Sequence, residues 1–155
     1  MTDKLIKRLE REGKLKKQSA GIVQVEALLK QAIMDLKEAK ATIRIADRAT
    51  YILAYMAMLK AGRALLLLKG SRPDDGAQHR TVVEVTSEIL GNRYRALTDH
   101  FETMRRKRND MTYEAGILLS RSESEKAFAD SVSLVEGILK EVKALDPQLE
   151  LKFDV

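Results

Sequence analysis

Tyr51-Ile52-Leu53-Ala54-Tyr55-Met56-Ala57-Met58-Leu59-Lys60-Ala61-Gly62-Arg63-Ala64-Leu65-Leu66-Leu67-Leu68 is apolar on most of its helical faces. A helix with no wide polar face is covered on several sides, so residues 45–69 read as the central helix of a bundle. Lys60 and Arg63 break the run. It therefore lacks the ~20 uninterrupted apolar residues of a membrane span, and no membrane association is expected. Gly70 follows as a C-cap.

Working outward, Ile22, Val25, Leu29, Ala32, Ile33 and Leu36 recur at helical spacing on the N-terminal side. Ser71-Arg72-Pro73-Asp74-Asp75-Gly76 is loop chemistry. Val82, Val83, Val85, Ile89 and Leu90 suggest a short helix, although β-branched residues also suit a strand. Tyr94, Leu97, Phe101 and Met104 form a stripe that runs into Arg105-Arg106-Lys107-Arg108. Residues 109–120 are ambiguous. Residues 122–145 form a last helix that opens on the acidic, cap-like Ser122-Glu123-Ser124-Glu125 and is stopped by Pro147. Residues 3–17 form a basic helix with a thin stripe of Leu5, Leu9 and Leu15, weakened by Gly13. The fold class is all-α, an antiparallel bundle of about five or six helices. A basic N-terminal helix spans 1–18, the bundle 21–145 and a loose tail 146–155.

The chain has 155 residues, 45% hydrophobic and 33% charged, with two prolines and eight glycines. That argues against disorder and against a many-stranded β fold. With no cysteine, disulfides, thiolate catalysis and iron–sulfur clusters are excluded. No secretory segment is visible at the start, and a cytoplasmic protein is expected. The net charge is +5. Residues 1–17 carry seven basic against three acidic side chains, and Arg105–Arg108 form the second basic cluster. Such a bias permits nucleic-acid contact without demanding it. No Walker loop, Rossmann fingerprint, HExxH, GxSxG or EF-hand pattern occurs. The carboxylates are too scattered for a metal site, and no cofactor is expected.

Leu28-Leu29-Lys30-Gln31-Ala32, the Ala-rich run Tyr51 to Gly70, and Leu97-x-x-x-Phe101-x-x-Met104-Arg105-Arg106-Lys107-Arg108-Asn109-Asp110-Met111-Thr112-Tyr113 occur in an order that resembles the HEPN superfamily of small helical bundles. The resemblance covers about residues 24–145 and leaves the basic first helix outside. Many members of that superfamily are metal-independent endoribonucleases. Their signature is Arg, four to six residues, then His, with a polar residue after the Arg. The His serves as general acid or base, and the Arg holds the phosphate. Two such motifs usually meet across a dimer. Here Arg108 and Asn109 fit, but Tyr113 stands at the His position. A phenol titrating near ~10 is a poor proton acceptor at neutral pH, although it can donate a hydrogen bond or stack on a base. Arg…Tyr branches are treated as non-nucleolytic or uncharacterised, and some members pair with a nucleotidyltransferase.

Arg95…His100 and Arg72…His79 also satisfy the bare spacing. Both rank below the Arg108 segment. Arg95 and His100 are five apart on one helix, a turn of about 500°, and point to different faces. The second pair straddles the loop. His100 is the histidine to test first for residual activity.

The resulting expectation is a homodimeric HEPN-like bundle that binds RNA or nucleotide phosphate. Its binding residues are Arg105, Arg106, Arg108, Asn109 and Tyr113, with Lys60 and Arg63 either snorkelling to solvent or lining a facing cleft. Tyr113 has a plainer reading as a core-edge tyrosine. An enzyme is the lesser expectation. It would be an endoribonuclease of a toxin or defence system using Arg108 with Tyr113 or His100. The third reading is a partner or antitoxin-type subunit that docks through the basic first helix or an open bundle face.

Overall fold

The computed structural model describes residues 2–19, 21–74 and 78–155. Helix α1 (Thr2–Arg11) leads into strand β1 (Leu15–Lys17), then α2 (Ile22–Thr42) and α3 (Asp47–Leu68). Strand β2 (Ser71–Pro73), α4 (Gln78–Leu90), a single 3-10 turn (Asn92–Tyr94), α5 (Arg95–Tyr113) and α6 (Arg121–Leu145) complete the order. The all-α bundle expected from the apolar periodicity is present, with six α-helices among the described residues. The valine-rich segment is the helix α4.

Helix α3 is the centre. Tyr51, Ala54, Tyr55, Met58, Ala61, Leu65 and Leu66 are all buried, and α2, α4, α5 and α6 each pack against it. By length and composition α3 could cross a bilayer, but most of its surface is already buried by the neighbouring helices. Gly62 permits the close crossing of α3 and α4. A Cβ there would lie 2.7 Å from Thr86 Oγ1 and 2.9 Å from Val82 Cγ1. On the α6 side, the buried Ser131 hydroxyl donates to the Ala54 carbonyl at 2.7 Å.

The N-terminal segment departs from the single helix expected over 1–18. Gly13 takes φ +74°, and the amides of Gly13 and Lys14 bond back to the carbonyls of Glu10 and Leu9 at 3.1 and 2.9 Å. This is a Schellman-type stop, which a left-handed glycine provides at little cost. The chain then pairs antiparallel with β2, with Leu15 opposite Pro73 and Lys17 opposite Ser71. Part of the expected loop at 71–76 is therefore strand, and Asp75 and Gly76 lie outside the described residues. The leucine stripe is less thin in space than in sequence. Leu9 and Leu15 are both buried in the core.

Two further boundaries moved. The cap of α6 is Ser120, earlier than the acidic run suggested. Ser120 Oγ accepts from the Glu123 amide at 3.0 Å, and Glu123 reaches back to the Ser120 amide at 3.1 Å, a capping box. The final residues are not loose. Leu149 and Leu151 are buried, the Leu151 carbonyl accepts from Lys143 Nζ at 2.7 Å, and Asp154 pairs with Lys37 at 3.0 Å.

Candidate phosphate-binding site

The four consecutive cations of α5 do four different things. Arg105 forks onto Glu102 one turn earlier, through Nε and through Nη2 at 3.2 Å. The hydrogen bond from Arg105 holds the Glu102 carboxyl below its ordinary range. Arg106 is largely exposed and reaches the same carboxylate at 3.4 Å. Lys107 is a brace: its Nζ donates to the Leu118 carbonyl at 2.7 Å and pairs with Glu123 at 3.1 Å. It thereby ties the 114–120 connection to the start of α6. Arg108 is half-buried and has no carboxylate partner among the described residues.

The charge of Arg108 bears instead on a histidine. His79 lies in the first turn of α4, and its Nδ1 is 2.9 Å from the hydroxyl of Tyr55 on α3. Burial, and then the charges of Arg108, Arg63 and Arg105, hold the His79 imidazole below the ordinary histidine value. The Tyr55 phenol is pushed well above its usual range by burial, with Arg108 and Arg105 pulling it the other way. The Tyr55 ring stacks at a tilt between His79 and Phe101, each at a centroid distance of 5.8 Å. The Tyr55–His79 contact between α3 and α4 thus sits in the field of Arg63 on α3 and of Arg105 and Arg108 on α5.

The tautomer of His79 follows from that neighbourhood. The only described partner of the Tyr55 hydroxyl is His79 Nδ1, and a buried O–H needs an acceptor. A phenol is also the stronger acid of the pair, so Tyr55 donates and Nδ1 accepts. A neutral imidazole then carries its proton on Nε2. The guanidiniums and the His79 Nε2–H are donors, and the histidine keeps no free proton acceptor.

The remaining expected site residues divide. Arg63 is exposed on α3 and bears on His79, so it belongs to the cluster. Lys60 does not join it in the same way, because it pairs with the buried Asp35 of α2 at 2.7 Å. Asn109 and Tyr113 are exposed on another face of α5, Tyr113 at 78%. Tyr113 is thus not a core-edge residue. Since α5 runs unbroken from Arg95 to Tyr113, Asn109 follows Arg105 by one turn but points about 100° away from Arg108, and Tyr113 points about 140° away from it. His100 is engaged elsewhere: its Nδ1 lies 2.7 Å from Asp130 of α6, which also pairs with Lys126 at 3.0 Å. Arg95 instead bonds the Asn92 side chain at 3.3 Å.

Residues 25–145 match the HEPN domain family. The chain belongs to that family. No curated protein and no solved structure matches it. The match covers α2 through α6 of this HEPN domain, and so includes every residue of the Arg63–His79–Arg105–Arg108 cluster. It leaves out α1 and β1.

From sequence, His79 is weighed only as the low-ranked partner of Arg72, and Tyr55 reads as core. A spacing rule searches along one helix, whereas His79 reaches Arg108 from another element. The available signal was the pair of histidines in the whole chain, one of which sits just after the only clear loop.

Proposed function

We propose that this HEPN domain binds the phosphates of RNA or of a nucleotide through Arg63, Arg105, Arg108 and the Nε2 proton of His79, and that it does so without cleaving them. The observation that carries this reading is the histidine held 2.9 Å from the Tyr55 hydroxyl with the charges of Arg108, Arg63 and Arg105 bearing on it, while Glu102 is tied to Arg105 and Arg106. Guanidinium forks suit phosphate oxygens, and the half-buried setting of Arg105 and Arg108 strengthens theirs. With Nδ1 occupied by Tyr55, the imidazole offers a donor and not a base.

The test is fluorescence anisotropy on a short single-stranded RNA over a range of salt. Affinity should fall steeply with added salt, by a slope of about 0.7 per phosphate contact. Arg108→Ala should weaken binding about tenfold or more and lower the slope. RNA binding that is absent, or indifferent to both salt and Arg108, would overturn the reading.

A second reading is supported by the same imidazole: α4 supplies a histidine to an arginine whose own motif lacks one. In that reading His79, with its tautomer reversed, takes the 2′-hydroxyl proton as O2′ attacks phosphorus and the P–O5′ bond breaks, the departing O5′ taking a proton from water, to leave a cyclic phosphate and a 5′-hydroxyl. Cleavage of a mixed RNA pool, giving cyclic termini and lost in both His79→Ala and Arg108→Ala, would establish it.

Homodimerisation belongs to the proposal as well. Its support is the exposure of Tyr113, Leu118 and Ile45. Pairs of Asp47 with Arg121 at 3.3 Å and Arg44 with Glu125 at 3.9 Å place the Ile45 turn beside the start of α6. Sedimentation equilibrium of wild type against Leu118→Glu tests it, with a shift to monomer expected.

A further inference from the structure

A groove of about 220 Å³ lies between the β1–β2 ribbon, the N-terminal part of α2, the C-terminal half of α3 and the first residue of α4. Its walls carry three carboxamides, Gln18, Gln24 and Gln78, and its apolar surface comes from Leu28, Leu67 and Pro73. Arg63, Arg72 and Ser71 also line it, and among the described residues no carboxylate does. Arg72 is drawn towards Asp74 at 3.4 Å.

Arg63 is the link. It lines this groove and also bears on His79, and Gln78 of the groove is the chain neighbour of His79. The groove and the phosphate cluster are therefore contiguous. Their chemistry is complementary. A carboxamide presents a donor and an acceptor side by side, which is what the edge of a nucleobase requires. Leucine and proline surface and a flat guanidinium suit its faces. The volume is below that of a pocket for a drug-sized ligand and fits one flat ring system.

We infer that this groove seats a single nucleobase of an RNA strand whose adjoining phosphate rests at Arg63 and Arg108. The inference rests on the phosphate reading above. The ribbon makes the groove: Gln18, the residue after β1, is fixed by its backbone N–H donating to the Gly70 carbonyl at 3.0 Å, and β2 brings Arg72 and Pro73.

The experiment compares a short single-stranded RNA with an abasic ribose-phosphate strand of the same length, by anisotropy on the full chain. The base-bearing strand should bind about tenfold or more tightly than the abasic one. A Gln24→Leu, Gln78→Leu double variant should lose that preference and keep abasic binding. Both positions are exposed, and circular dichroism would confirm that the variant folds. Equal affinity for the two strands, both lost in Arg108→Ala, would overturn the base groove and leave the phosphate site standing. A base preference that persists undiminished in the double variant would also overturn it. Failure of both strands to bind would remove the phosphate reading together with it.

Discussion

The Tyr55 hydroxyl and His79 Nδ1 are 2.9 Å apart, joining the middle of the central helix to the first turn of α4. This contact fixes which ring nitrogen carries the proton, and with it the character of the site. Tyr55→Phe removes the donor while keeping the ring against Phe101. Nitrogen NMR should show His79 protonated on Nε2 in the wild type and a mixture of tautomers in the variant. Stability should fall by about 1 kcal/mol, the usual worth of one such hydrogen bond. An Nδ1-protonated wild type would reverse the donor assignment and strengthen the case for base catalysis.

The depressed His79 value has a definite consequence for pH dependence. Its folded form resists protonation while the unfolded chain takes up a proton near the ordinary value of 6.5. The unfolded state then binds more protons, so stability falls as pH drops below about 6.5. The loss is complete once pH has passed the folded-state value. Glu102 and Glu123, both held below the ordinary glutamate value of 4.5, lose their contribution as pH falls below about 4.5, which begins lower than the histidine window. Removing Arg108 relieves part of the pressure on His79. Denaturant titrations of Arg108→Ala should therefore show a shallower decline between pH 7 and 5 than the wild type.

Lys60 and Arg63 are one turn apart and should behave oppositely. Lys60→Met strands the buried Asp35, which should cost about 1–3 kcal/mol of stability and leave RNA affinity unchanged. Arg63→Ala should barely move the melting midpoint and should weaken RNA binding. Urea unfolding and anisotropy on the same two proteins decide the matter.

Gly62→Ala forces a methyl into Thr86 and Val82 across the α3–α4 crossing. Overpacking of this kind costs about 1–3 kcal/mol. Because α4 carries His79, its displacement should also disturb the Tyr55 contact, seen as a change in the His79 ring signals. A variant as stable as wild type would mean that the two helices are less tightly held than their spacing implies.

The fold was legible where packing repeats at helical intervals. The all-apolar run at 51–68 identified the central helix, and the stripes at 22–40 and 94–104 identified its neighbours. What could not be read was contact made between distant segments. Nothing local in Leu15-Lys16-Lys17 says strand; it becomes one because Ser71-Arg72-Pro73 lies beside it. The candidate site divided in the same way. Arg105 and Arg108 were found from their cluster and from the resemblance. Tyr55 looked like core, which it is, apart from its hydroxyl. His79 was weighed only against Arg72, its neighbour along the chain, when the arginines that matter arrive from α3 and α5.

Leu9, Leu15, Leu149 and Leu151 all bury themselves in the common core, yet all four lie outside the stretch that carries the family pattern. A fragment cut to 25–145 would bare that leucine-covered surface and lose one strand of the ribbon. The cooperative folding unit is therefore wider than the family boundaries, and a truncation made at those boundaries tests an opened core and not the excised segment.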